Sequence, residues 1–213
     1  MKRRTAILIS GRGSNMEALI AAARDPAYPA EIALVVSNRP DAAGLATAGS
    51  AGILTDVIDH REFGRDRTAH EEAIDAVLRA ADIEIICLAG YMRLLTPFLV
   101  DAWAGRMLNI HPSLLPSFPG LDTHARALAA GVKLHGCTVH LVTREMDAGP
   151  ILAQAAVPVL PGDNEDDLAR RVLRQEHTIY PAALAAFAAG LAGWLPEPDA
   201  CLTNPLPWQG PAR

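Results

Sequence analysis

The chain is poor in lysine, cysteine, aromatic residues and long apolar runs. Lysine occurs only at Lys2 and Lys133, so nearly all positive charge is arginine. With the abundant alanine, that points to compositional bias rather than to a function. The formal net charge is −5 and the pI is about 5.8. General nucleic-acid binders are more often basic, so this balance argues against nucleic acid as a partner. The three cysteines, Cys87, Cys137 and Cys201, are odd in number and widely spaced. They form neither a disulfide framework nor a zinc motif, and they suit a reducing cytosol. No stretch approaches the roughly 18 apolar residues of a membrane span. The apolar run Ala6–Ile9 behind "MKRR" is too short for a signal peptide, and a Gly-rich turn follows it at once. The expectation is a cytoplasmic protein with no membrane partner.

What the chain does have is enough apolar material, half of its 213 residues, for one large core. "TAILIS" (5–10), "EIALVVSN" (31–38), "ILTDVI" (53–58) and "IEIICLAG" (83–90) read as short strands, the first and last of them buried. Helical spacing lies between them at 14–25, 42–52 and 65–82. This alternation predicts an α/β fold: a Rossmann-like, mostly parallel twisted sheet with helices on both faces. A short helix at 96–104, a strand at 106–110, a Pro-rich loop at 112–120 and a helix near 122–130 follow. Strands at 136–143 and 149–160 read as a hairpin. The helix at 163–190 opens on acidic residues, as a helix N-terminus favours, and Pro181 should kink or divide it. Residues 1–190 are expected to form one catalytic domain. Residues 191–213 are expected to be a Pro-rich tail with one edge strand.

Two groupings carry chemistry. In "ISGRGSNMEAL", Gly11 and Gly13 lie between a strand and a helix, with Ser14 and Asn15 at the helix start. Free N–H groups there attract anions, and glycines allow a phosphate to approach the backbone. The turn lacks the lysine of a Walker loop, and Met16 stands where a dinucleotide fingerprint has its third glycine. Arg39 after the second strand would suit a 2′-phosphate, which keeps an NADP-binding module open as a second reading. A tight turn capped by Ser14 is the plain structural alternative.

The second grouping is "LNIHPSLLP" (108–116). Residues two apart on an extended segment face the same side, so Asn109 and His111 project together. An amide donor beside an imidazole suits stabilisation of an oxyanion forming on a carbonyl. Asp147 in "REMDAGP" would favour the imidazolium if it lay near His111. The alternatives are that Asn109 and His111 satisfy buried backbone groups and that Asp147 is a turn residue. No spacing of histidines suggests a metal.

Five segments in order, "ISGRGSN", "LAGYMRLL", "LNIHPSLLPSFPG", "HGCTVHLVTREMDAGPI" and "QEHTIYP", resemble those of the glycinamide ribonucleotide formyltransferases. The resemblance covers almost the whole chain. It implies transfer of the formyl group of 10-formyltetrahydrofolate to the amine of 5-phosphoribosylglycinamide in purine biosynthesis, by direct attack through a tetrahedral intermediate and without a metal. It implies that Asn109, His111 and Asp147 are catalytic. By the same resemblance, Gly13, Ser14, Asn15 and Glu176 bind the nucleotide. Arg67, Met92, Arg93, Leu94, Leu95, Asn109, Thr143, Arg144, Glu145, Met146 and Asp147 then line the folate site. Arg67 and Glu176 taken alone would be solvated charges, and His140 a satisfied buried histidine. Asp122 and His135 receive no role. Methionyl-tRNA formyltransferases share the Asn-x-His-Pro stretch but need a further domain and basic surface. Formyltetrahydrofolate deformylases carry a preceding regulatory domain. The implied partners are therefore small molecules, with the protein a monomer or homodimer.

Overall fold

The computed structural model describes residues 1–190, so the expected tail strand lies outside the described residues. Seven strands form one sheet in the order β3-β2-β1-β4-β5-β6-β7. They are β1 (Arg3–Ile9), β2 (Ala30–Ser37), β3 (Leu54–Val57), β4 (Ile85–Leu88), β5 (Met107–His111), β6 (Leu134–Leu141) and β7 (Ile151–Pro158). β1 to β5 are parallel, whereas β6 and β7 are antiparallel to their neighbours. From Thr5, Ile32 and Ile85 onward the parallel strands β1, β2 and β4 are continuous in buried residues because helices cover both of their faces.

The helices are α1 (Ser14–Ala23), α2 (Ala43–Ser50), α3 (Arg67–Ala80), α4 (Pro97–Ala102), α5 (Thr123–Ala129) and α6 (Glu165–Ala189). One apolar core packs residues of α1, α5 and α6 on the sheet; the other packs α3 and α4 on its opposite face. The order β3-β2-β1-β4 reverses chain direction across the sheet between β1 and β4. That is the switch point at which open α/β sheets receive ligands.

Two expectations need correction. α6 runs through Pro181 undivided. Proline at 181 removes one hydrogen bond, to the carbonyl of residue 177. Buried Ile179, Tyr180, Ala183 and Leu184 on both sides of it hold the helix against the sheet. The Tyr180 hydroxyl also lies 3.0 Å from the Leu88 carbonyl and 3.2 Å from that of Leu108. Second, α1 is not capped by Ser14: its N-cap is Gly13, with φ +77° and no side-chain bond. The strand expected at 53–58 forms as β3, an exposed edge strand, and a 3-10 turn at His60–Phe63 follows it. The acidic start of α6 is a capping box, Asn164 with Asp167.

Candidate active site

The turn after β1 is shaped by close packing. The Gly44 N–H donates to the Gly11 carbonyl at 3.1 Å. A Cβ on Gly44 would come within 2.7 Å of Ile9 and 3.1 Å of the Gly11 and Arg12 carbonyl oxygens, so α2 presses directly on the turn. The Glu17 N–H makes the first intrahelical bond, to Gly13. The N–H groups of Ser14, Asn15 and Met16 precede it and have no acceptor within the helix. Asn15 is buried, and its side-chain amide donates to Glu176 Oε2 at 2.7 Å. The other amide atom, Asn15 Oδ1, is buried with no partner among the described residues. Glu176 is 7% exposed, and burial pushes its carboxyl pKa up against the opposing Asn15 bond. A buried acid paired only with an amide is costly unless a ligand uses it.

Arg39 is held by Asp41, at 3.1 Å from Nε and 2.7 Å from Nη2. The guanidinium that the NADP reading needs is thus already paired.

β5 ends on His111, and Asn109 and His111 pair across the antiparallel register with His140 and Thr138. The Pro-rich loop after β5 is fastened to that face. Thr138 Oγ1 donates to the Ser113 carbonyl at 2.6 Å and accepts from Leu115 N–H at 3.0 Å. Gln154 Nε2 donates to the Leu115 carbonyl at 2.8 Å. The segment between β6 and β7 folds back toward the end of β5. Gly149 permits this: a Cβ there would lie 1.8 Å from the Leu141 carbonyl oxygen. Asp147, at φ +53°, brings Oδ2 to 3.5 Å from His111 Nδ1 and accepts from Gly120 N–H at 2.8 Å.

His140 belongs to the same cluster. Its Nδ1 lies 2.9 Å from the Leu141 carbonyl, which only an N–H can satisfy. Its Nε2 is then the lone-pair nitrogen, 3.2 Å from the Asn109 amide nitrogen and 3.7 Å from Asp147 Oδ1. Burial lowers the His140 pKa and so preserves that lone pair. His140 thereby fixes which way the Asn109 amide points, with one N–H spent on the ring and the other left for a ligand. The sequence reading missed this. The signal lay in the alternation of "TVHLV", but using it required the β5–β6 register. His111 Nε2 lies 3.1 Å from the Phe118 carbonyl, so both of its ring nitrogens already face acceptors.

The remaining expected positions divide into two sets. Met92 and Leu94 stand exposed on the loop after β4, next to the turn after β1. Leu95 is half-buried against the α3–α4 core. Met146 is exposed beside Asp147, and Thr143 Oγ1 donates to the Glu145 carbonyl within the same loop. The Arg144 side chain turns away to Asp101, with Nε 2.8 Å from the carboxylate. Arg67 opens α3 and is exposed. Among the described residues no group of three or more His, Cys, Asp or Glu is arranged to hold a metal ion.

Residues 3–184 match the formyl transferase family. The chain is 46% identical over 184 residues to the phosphoribosylglycinamide formyltransferase of Escherichia coli K12, covering 86% of each. It is 51% identical over 189 residues to the human trifunctional purine biosynthetic protein adenosine-3, covering 89% of this chain and 19% of that protein. It therefore spans about a fifth of the length of such trifunctional relatives. A crystal structure of phosphoribosylglycinamide formyltransferase from Brucella melitensis superposes with a TM-score of 0.85 at 59% identity, over 89% of this chain and 97% of that one.

Proposed function

The chain belongs to the formyl transferase family, and we propose that it moves the formyl group of 10-formyltetrahydrofolate onto the amine of 5-phosphoribosylglycinamide, a step of purine synthesis. One observation carries the reading. Asp147, distant in sequence, meets His111 and the His140 ring that bonds Asn109, at the end of β5; β5 pairs with β4, whose following loop bears exposed Met92 and Leu94. The nucleotide's phosphate meets the N–H groups of Gly13, Ser14 and Asn15 at the start of α1. Its ribose hydroxyls donate to Glu176, which offers a buried acceptor pre-set by Asn15. The pteridine lies against Met92, Arg93, Leu94 and Leu95 and bonds to the backbone of residues 143–147. Arg67 receives the anionic tail.

The chemistry then follows from the polar groups. The substrate amine attacks the formyl carbon and forms a C–N bond. The carbonyl electron pair moves to oxygen. The free N–H of Asn109 stabilises that oxyanion, with His111 Nε2–H shared between it and the Phe118 carbonyl. Asp147 Oδ2, 3.5 Å from the other ring nitrogen, holds the orientation of the His111 ring. The tetrahedral centre collapses by breaking its bond to the folate nitrogen. A water held by Asp147 carries the proton from the attacking amine to that nitrogen. A cytoplasmic protein working on small molecules, as a monomer or homodimer, belongs to the same reading. Among the described residues no helix is long and apolar enough to cross a membrane.

The test is release of tetrahydrofolate from 10-formyltetrahydrofolate by the purified protein. Release only when 5-phosphoribosylglycinamide is added is the expected result. Release without it would make the protein a deformylase, and none in either case would sink the folate reading. His111→Ala should cut kcat by at least about 100-fold while nucleotide binding holds. Collapse of nucleotide affinity would instead assign His111 a structural role.

A further inference from the structure

The loop Gly90–Thr96 carries the exposed wall residues Met92 (74%) and Leu94 (62%). Exposed apolar side chains have no packing of their own to fix them, so the backbone beneath must be held from elsewhere. Two buried side chains that do not line the site hold its ends.

Ser10, between β1 and the Gly11–Gly13 turn, is the first. Its N–H donates to the Gly90 carbonyl at 3.2 Å. Its hydroxyl donates to Asn38 Oδ1 at 2.6 Å and accepts from the Met92 N–H at 2.8 Å. A hydroxyl has one proton to give. Because Asn38 takes it, the oxygen's remaining lone-pair density is aimed at Met92. Asn38 is fixed in turn: it is buried, and its carbonyl accepts from His60 Nδ1 at 2.8 Å. Glu71 is the second. Buried on α3, it accepts from the Thr96 N–H at 2.7 Å and from the Thr96 hydroxyl. Thr96 also caps α4, accepting from the Phe98 N–H.

We propose that Ser10 and Glu71 are positioning residues that clamp the two ends of the Gly90–Thr96 loop and so set the wall against which the folate ring lies. Ser10 is the more consequential, because it belongs to the strand end that leads into the nucleotide turn. One residue thus registers the folate wall against the phosphate seat. The proposal rests on the folate reading given above.

The experiment compares wild type, Ser10→Ala and Glu71→Gln in steady-state kinetics, in calorimetric binding of tetrahydrofolate, and in hydrogen exchange of the Met92 amide. Ser10→Ala leaves the Met92 N–H and Asn38 Oδ1 without their partner. Its KM for 10-formyltetrahydrofolate should rise roughly tenfold, with tetrahydrofolate binding weakened alike. The nucleotide KM should stay within about twofold, and the Met92 amide should exchange faster. Glu71→Gln retains an acceptor oxygen for Thr96 and should show a smaller shift of the same kind. Equal rises in both KM values would mean general damage and would overturn the proposal. Unchanged folate binding with accelerated Met92 exchange would overturn it as well. Failure of the wild type itself to bind tetrahydrofolate would defeat the folate reading and the clamp together, a result distinct from either.

Discussion

Asp147 occupies a left-handed backbone conformation, φ +53°, that asparagine and aspartate tolerate better than other non-glycine residues. Asp147→Asn therefore keeps both the loop and an oxygen for the Gly120 N–H. It should fold with a melting temperature close to wild type and lose activity by at least about 100-fold, as thermal melts and turnover assays would show. Asp147→Ala should also lose stability, because alanine is strained at this φ. Glu176 makes the converse case. Its raised pKa means that the folded protein binds the proton more readily than the unfolded chain. Keeping it ionised above its ordinary value of 4.5 thus costs stability. Glu176→Gln should raise the melting temperature at neutral pH while raising the nucleotide KM roughly 10- to 100-fold. A variant weakened in both respects would contradict the assignment. At this scale the sequence told unevenly. Asn109 and His111 were readable together because strand periodicity is local. The approach of Asp147, the partnership of His140 with Asn109 and the contact of Asn15 with Glu176 depend on pairings between distant segments, which periodicity does not encode.

Among the elements, β1, β2 and β4 were legible because double-sided burial leaves an unmistakable apolar run, and α3 because its apolar positions recur at helical spacing. The edge position of β3 and the undivided α6 were not. Local rules know neither that one flank of β3 lacks a neighbour nor that packing on both sides of Pro181 outweighs one lost hydrogen bond. Pro181→Ala should restore a bond to the residue 177 carbonyl and raise stability by about 1–3 kcal/mol in denaturant titration. Lower stability would mean that the ring's packing matters more than the bond. Gly149 and Gly136 carry the opposite constraint. A Cβ at Gly136 would lie 2.0 Å from the Ala155 carbonyl oxygen, so the β6–β7 hairpin closes only without side chains there. Gly149→Ala should disturb the Asp147 loop and abolish activity even where circular dichroism still reports a folded sheet.

For the molecule as a whole, a buried neutral histidine contributes to the response to acid. His135 is 1% exposed, neither ring nitrogen has a partner among the described residues, and its ring packs edge-on to His124. Burial, with a smaller push from His124, lowers its pKa from 6.5 to about 4. The unfolded chain therefore takes up this proton first. The stability that neutral His135 contributes is complete above pH 6.5 and drains away as pH falls toward 4, by on the order of 3 kcal/mol. Replacing His135 with Leu should flatten the pH dependence of the melting temperature in that window; an unaltered slope would place the acid sensitivity elsewhere. The layered α/β plan was readable from the alternation of patterns, but the sheet order and its antiparallel end were not, since both are set by how hairpins and crossovers dock. The bond from Asn15 to Glu176 bridges 161 positions of the chain. The proposed nucleotide seat, with its Asn15–Glu176 pair, is complete only once α6 has docked on α1. Nucleotide held at that seat would protect folded molecules without rescuing unfolded ones. In stopped-flow experiments it should slow unfolding and leave the refolding rate where it was.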